Sequence, residues 1–310
     1  MNATMRASGH ATHSTPLPVL IGWQGIQIRV PHEWFLKGYT GDWNDGYIQI
    51  GSPGSTEIDI KWVRSRRRTD LHYVLSQFLK RIERAKRRAR QPYSGTIKPL
   101  DEHTLEFRWQ SDERALGQIR RYPDCHTIAL IQMRTASRHE ALHQLARPIF
   151  DTLSVKPDPD GWVVWSLYGL CTAVPERFRL AKAQVLSGHT RLFFRARREH
   201  LLIERIARAE QLMKGYSLEE WASLWLRWGS LRRMECHPQS DGALRMRASL
   251  PFGVTVAEAI RGLATLHRPA WRVEAVAWFQ PERNAVFHIQ YQTPRRNTLL
   301  EEVYARTRCP

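Results

Sequence analysis

The sequence predicts the α+β fold class, as two tandem copies of an antiparallel sheet packed with helices. Three observations lead there. The first is internal repetition. Residues 119–135, IRRYPDCHTIALIQMRT, align without gaps with 277–293, AWFQPERNAVFHIQYQT. Pro123 then meets Pro281, Asp124 meets Glu282, Gln132 meets Gln290 and Thr135 meets Thr293. The opening of each half repeats too: GIQIRVPHEWFL (25–36) against GLCTAVPERFRL (169–180). The second observation is period. Short alternating runs outnumber helical ones, and neighbouring runs are separated by turn residues, which favours antiparallel pairing. The third is length: 310 residues suit two domains, and a repeat of about 145–158 residues is too long for a solenoid unit.

The elements follow in order. Residues 1–19 read as a disordered lead-in, because MNATMRASGHATHSTPLP is polar, ends in prolines and lacks the apolar stretch of a secretory signal. The first module is expected over 20–156. WQGIQIRV (23–30) alternates Ile26, Ile28 and Val30 and is expected to form one strand that Pro31 ends. A Gly/Asp/Asn turn region (38–46) leads to the strand GYIQI (46–50). Ser-Pro-Gly-Ser (52–55) turns the chain into TEIDIKWV (56–63), with Ile58, Ile60 and Trp62 on one face and Glu57, Asp59 and Lys61 on the other. The period then changes. Leu71, Val74, Leu75, Phe78, Leu79 and Ile82 form the apolar stripe of a helix capped by Thr69 or Asp70. Pro92 and Gly95 stop it. Strands resume at 103–109, about 115–121 and 126–134. Ser137 and Glu140 are placed to form a capping box for a second helix, in which Pro148 predicts a kink or break.

Lys156-Pro-Asp-Pro-Asp-Gly161 is a stiff linker to a second module over 157–310. Strands are expected near 162–174, 177–181, 189–196 and 200–207. Ser217 and Glu220 form another capping box, before a helix with Leu218, Trp221, Leu224, Trp225 and Trp228 inward. Strands follow near 232–236, 243–249, 271–279 and 285–292, then a closing helix from about Thr298. The segment 251–270 has no counterpart in the first module and reads as an inserted amphipathic helix.

Composition narrows the function classes. No apolar run reaches the roughly 20 residues that cross a bilayer, so no membrane span is expected. Cys125, Cys171, Cys236 and Cys309 are scattered without metal-ligand spacing and read as reduced thiols in a cytoplasmic protein. The net charge is +17, with 39 Arg and 8 Lys. The surplus is shared: each module carries 23 basic and 15 acidic residues, so neither is a basic tail on a neutral domain.

The order of Gly25, Ile26, Ile28, Val30, Pro31 and Trp34, a polar turn, GYIQI, EIDIKWV and an amphipathic helix resembles the opening of the PsbP-like fold. Gly169, Leu170, Val174, Pro175 and Phe178 repeat the pattern. The resemblance implies two PsbP-like modules and a binding or accessory role. It implies no site residues, because the matched positions are structural.

Three functional readings follow. The leading one is a non-catalytic binding or adaptor protein, without a cofactor, whose partner is another protein. The alternative is binding of nucleic acid or another polyanion through the segment 64–90. That segment holds Arg64, Arg66, Arg67, Arg68, Lys80, Arg81, Arg84, Lys86, Arg87, Arg88 and Arg90 against Asp70 and Glu83. Lys80, Arg81, Arg84, Arg87 and Arg88 fall opposite the apolar stripe, where they would attract phosphates; a solvated outer face is the competing explanation. The third is a metal-dependent hydrolase. His139, Glu140 and His143 spell H-E-x-x-H, two imidazoles one turn apart. A third ligand is missing, and Glu140 is also explained as a capping residue. Tryptophans 62, 109, 165 and 278 fall in strands, where one exposed beside Arg would suit base stacking. No glycine-rich phosphate loop or nucleophile elbow occurs, and dispersed carboxylates name no acid–base pair.

Overall fold

A computed structural model describes residues 17–66, 69–136, 141–186, 188–225, 233–249, 272–293 and 297–307. The chain divides into two compact units. One comprises Met1–Ile21, Gln27–Thr40 and Gly46–Ser154; the other comprises Gly22–Ile26, Gly41–Asp45 and Val155–Pro310. No helix among the described residues is long and apolar enough to cross a membrane.

The N-terminal strands are β1 (Val19–Trp23) and β2 (Ile26–Val30). The expected single strand over 23–30 is thus two strands. Gln24 and Gly25 have φ of 52° and 81°, a two-residue left-handed pair that reverses the chain. The same correction applies near 162–174. There β10 (Trp162–Leu167) and β11 (Leu170–Pro175) are joined by Tyr168 and Gly169, at φ 46° and 76°. Glycine takes the second position because it adopts this conformation without a Cβ penalty. Within the second unit, Gly22 of β1 pairs with Ser166 of β10, and β10 pairs with β11.

The chain continues with β3 (Phe35–Gly41), β4 (Asp45–Gly51) and β5 (Glu57–Arg64). The expected turn region 38–46 is therefore mostly strand. The reversal is only Asp42–Asn44, where the Asp42 carboxylate accepts from the Asn44 amide at 2.7 Å. Helix α1 (Leu71–Arg88) follows, with Asp70 accepting from the His72 amide at 2.8 Å as its cap. Then come β6 (Ser94–Asp101), β7 (Thr104–Gln110), β8 (Arg114–Tyr122) and β9 (Thr127–Thr135). Strand β6 was not expected. It is an exposed edge, where Pro99 is tolerated and little apolar alternation is needed. Helix α2 (Leu142–Asp151) starts after Ala141 with no side-chain cap and runs through Pro148. Of the kink or break expected at Pro148, the break does not occur. Ser137 and Glu140 lie outside the described residues.

The second unit carries β12 (Arg179–Leu186), β13 (His189–Ala196), β14 (Glu199–Ala207), a short α3 (Ala209–Leu212) and α4 (Leu218–Trp225). The capping box at α4 forms as expected. Ser217 donates its amide to Glu220 Oε2 at 2.7 Å, and the Glu220 amide donates to Ser217 Oγ at 3.2 Å. Then follow β15 (Arg233–Pro238), β16 (Leu244–Ser249), β17 (Arg272–Gln280), β18 (Ala285–Thr293) and α5 (Leu299–Thr307). The expected inserted helix over 251–270 lies outside the described residues.

Both large sheets are seven-stranded. The first has the order β3-β4-β5-β9-β8-β7-β6 and the second β12-β13-β14-β18-β17-β16-β15. Each strand of the second corresponds to the strand nine earlier. Pairing between neighbouring strands is antiparallel among the described residues, so the class is α+β. A 3-10 turn leads into the last strand of each sheet, with His126 at φ 50° and Asn284 at φ 43°.

Each sheet carries a helix on either face. In the first unit, Leu71, Leu75 and Leu79 of α1 pack on Phe107, Trp109, Ile119 and Leu130. Complete burial of a leucine such as Leu75 contributes roughly 1.5–3 kcal/mol. Helix α2 covers the opposite face of β8 and β9 and buries Ile149 and Phe150. In the second unit, Trp221 and Ala222 of α4 pack on Met246, Ala275 and Ala277. On the other face, Tyr304 of α5 meets Trp278 edge-on at 4.8 Å.

Candidate binding surfaces of the first unit

The helical stripe read from the sequence places the basic residues of α1 as expected: Lys80, Arg81, Arg84, Arg87 and Arg88 are all exposed. Arg87 pairs with Glu83 at 2.7 Å, one turn away. The other four have no acidic partner among the described residues. Lys86 behaves differently. It turns toward the sheet, bonds Asp112 at 2.5 Å and lies 5.6 Å from the Trp109 ring centroid. That bond holds the Asp112 carboxyl down at about 2. Arg66 is exposed and Arg64 half-buried, while Arg67 and Arg68 lie outside the described residues. At 100° per residue, Tyr73 falls on the same stripe as Lys80, Arg84 and Arg87. This residue is 63% exposed, the most of any large hydrophobic residue described. The corresponding helix of the second unit, α4, opens instead with exposed Glu219 and Glu220.

A second surface was not legible beforehand. The face of the first sheet under α1 is apolar toward β7 and the start of α1. Beside the later turns of α1 it becomes a polar cleft of about 560 Å3. Register assembles its floor. Glu57 lies opposite Arg134, Asp59 opposite Gln132 and Lys61 opposite Leu130. Asp59 is 4% exposed and accepts from Tyr47 Oη at 2.5 Å, Gln132 Nε2 at 2.9 Å and Arg134 Nε at 2.7 Å. Arg134 also bonds Glu57 at 2.7 Å and approaches Glu113 at 3.5 Å. Trp109 Nε1 donates to Gln132 Oε1 at 3.2 Å. Glu57 in turn takes Lys37 at 2.5 Å and Gln49 at 2.9 Å.

The electrostatics follow from this packing. Burial and the bond to Asp59 push the Tyr47 hydroxyl far above its usual value, so it stays a donor. Burial works against the Arg134 charge, but Asp59, Glu113 and Glu57 outweigh it and hold the guanidinium above its usual value. The result is a stiff floor of paired charges rather than a poised acid or base. The Glu57–Asp59–Lys61 face, read from sequence as the polar side of a strand, is graded: Asp59 is buried, Glu57 half-buried and Lys61 exposed.

The second unit spends the same face differently. Glu204 is 2% exposed and accepts from Arg191, with His189 Nε2 at 3.1 Å and His288 Nδ1 at 2.8 Å. Burial works to raise the Glu204 carboxyl, yet the bonds from His189, His288 and Arg191 hold it well below the usual range. Charge compensation inside a core keeps this group in place.

The remaining expectations are resolved in part. His143 is exposed on the first turn of α2, beside a cleft of about 610 Å3 that Arg108 and Arg114 also line. His139 and Glu140 lie outside the described residues. Among the described residues no group of three or more His, Cys, Asp or Glu is placed to hold a metal ion. Cys125, Cys171 and Cys236 form no disulfide among the described residues. Trp62, Trp109, Trp165 and Trp278 are all buried, at 2–5% exposure, so none of these four offers an exposed stacking surface. Trp221 is core, as expected, whereas Trp228 lies outside the described residues. The chain matches no protein-family model, and no curated protein matches it.

Proposed function

We propose that this chain is a non-catalytic binding protein, made of two duplicated PsbP-like modules, that takes a polyanion on the outer face of α1. The polyanion is a nucleic acid. One observation carries the reading: Lys80, Arg81, Arg84 and Arg88 stand exposed within about 12 Å of helix, with no acidic partner among the described residues. Solvated helix faces ordinarily interleave both signs, and such pairs hold the side chains down. Tyr73 supports nucleic acid in particular, because an exposed ring beside cations can stack on a base. The shared strand order of the two large sheets supports duplication, and the acidic start of α4 favours binding by the first copy.

The test is anisotropy of a labelled single-stranded oligonucleotide. Four phosphate contacts give a salt slope of about 2.8, so affinity falls about 50-fold between 50 and 200 mM salt. Arg81→Glu/Arg84→Glu/Arg88→Glu abolishes binding. Tyr73→Ala costs about 1–3 kcal/mol, roughly 5- to 150-fold. No binding at 50 mM salt, or an unchanged affinity in the charge-reversed chain, overturns the reading. A nuclease-resistant protein partner in that case returns the adaptor role.

A further inference from the structure

We propose that the polar cleft beside α1 binds a small planar anion: an unsaturated ring carrying one carboxylate or phosphate. This site is separate from the outer face of α1 and does not rest on the polyanion reading. The volume, about 560 Å3, lies in the range of small-molecule sites. Its walls supply flat apolar surface, from Tyr47, Phe78 and Trp109.

Charge decides the class of ligand. Five ionisable acidic or basic side chains line the cleft. Asp59 is taken by Tyr47, Gln132 and Arg134. Arg134 is taken by Glu57 and Asp59. Glu113 and Lys86 approach each other at 3.6 Å, and Lys86 also holds Asp112. Lys61 alone has no carboxylate partner among the described residues. Its ammonium lies 5.6 Å from the Tyr47 ring centroid and 5.5 Å from that of Phe78. One spare cation between two rings matches one anionic group on a flat ligand.

The cleft is also pre-formed. Bonds from β4, β5, β9 and α1 fix the floor, so little side-chain freedom is lost on binding. The second unit does not repeat it. The sequence aligns Gln132 with Gln290, and register then sets Leu202 in the place of Asp59 and Glu204 in the place of Lys61.

Calorimetric titration of the full chain tests the site with four probes: adenosine monophosphate, benzoate, adenosine and inorganic phosphate. At least one ring-bearing anion is expected to bind at one per chain, and adenosine and phosphate at least tenfold more weakly. Binding by adenosine monophosphate alone assigns a nucleotide; binding by benzoate alone assigns an aromatic acid. Lys61→Met is expected to lose at least tenfold, while Lys61→Arg retains binding and Arg81→Glu/Arg84→Glu/Arg88→Glu leaves it unchanged. The proposal is overturned if neither anion saturates below about 10 mM. It also fails if adenosine or phosphate binds as tightly as the anion, or if Lys61→Met binds as well as the wild type.

Discussion

Replacing Arg134 with Met tests whether the floor of the first unit is held by charge compensation. Arg134 bonds Asp59 and Glu57, each at 2.7 Å, and its side chain is 23% exposed. The Asp59 side chain is 6% exposed. Removing one partner of a buried pair costs about 3–5 kcal/mol, because the remaining charge is left uncompensated. Tyr47 and Gln132 still donate to Asp59, and Arg134 is partly solvated, so the low end applies: about 3 kcal/mol. Amide protection in β5 and β9 then falls by up to about 150-fold where opening of the unit governs exchange. At this size the melting temperature drops by roughly 10 °C. Hydrogen exchange of peptides covering Glu57–Arg64 and Thr127–Thr135 reads the first unit separately from the second. The decisive chain is Asp59→Asn/Arg134→Met. With the carboxylate gone, at least half the loss is recovered, and the coupling in the cycle exceeds about 1.5 kcal/mol. A coupling below about 0.5 kcal/mol refutes the reasoning, and the bonds drawn around Asp59 would then contribute little.

Three further outcomes are expected. Glu204, held below its usual range by His189, His288 and Arg191, contributes stability above the unfolded carboxyl value that is lost as pH falls through its lower folded value. Protection of β14 and β18 therefore decreases below about pH 4.5, and Glu204→Gln shows a shallower acid limb; parallel acid limbs would contradict this. Gly117→Ala sets a methyl against the Phe107 ring and 2.7 Å from the Ile131 carbonyl oxygen, costing about 1–3 kcal/mol in urea denaturation. An unchanged midpoint would show that the sheet yields there freely. Ser217→Ala removes the reciprocal cap of α4 and costs about 1 kcal/mol, visible as faster exchange in Leu218–Trp225.

Local chemistry was legible wherever one short stretch carried the whole signal. The α1 stripe, the Asp70 cap and the Ser217–Glu220 box all depend on residues within a turn or two, and each forms. Elements with weak local signals were missed. Strand β6 is exposed and contains Pro99, so neither alternation nor propensity announces it. Strand β3 hides behind glycines at 38 and 41 that look like turn residues. The Gln24–Gly25 reversal lies just before the alternation of Ile26, Ile28 and Val30, which reads as a single strand when extended backward. The cleft was out of reach for a different reason. Tyr47, Asp59, Trp109, Gln132 and Arg134 come from four strands and meet only through register. One clue existed: the carboxylates of Glu57 and Asp59 share a sheet with an apolar helix that must lie on one of its faces.

The placement of β9 bears on how this protein is made. It is the last strand of its sheet to be synthesised, yet it lies between β5 and β8. Until residues 127–135 have left the ribosome, the nascent chain can hold only two separate meanders, each with an open flank. At translation speeds of about 5–20 residues per second that interval lasts several seconds. The second half repeats the delay, because β18 is again the final strand and again the keystone. Stalled or truncated products would thus be sticky in two stages, and chaperone capture should peak just before each closing strand emerges.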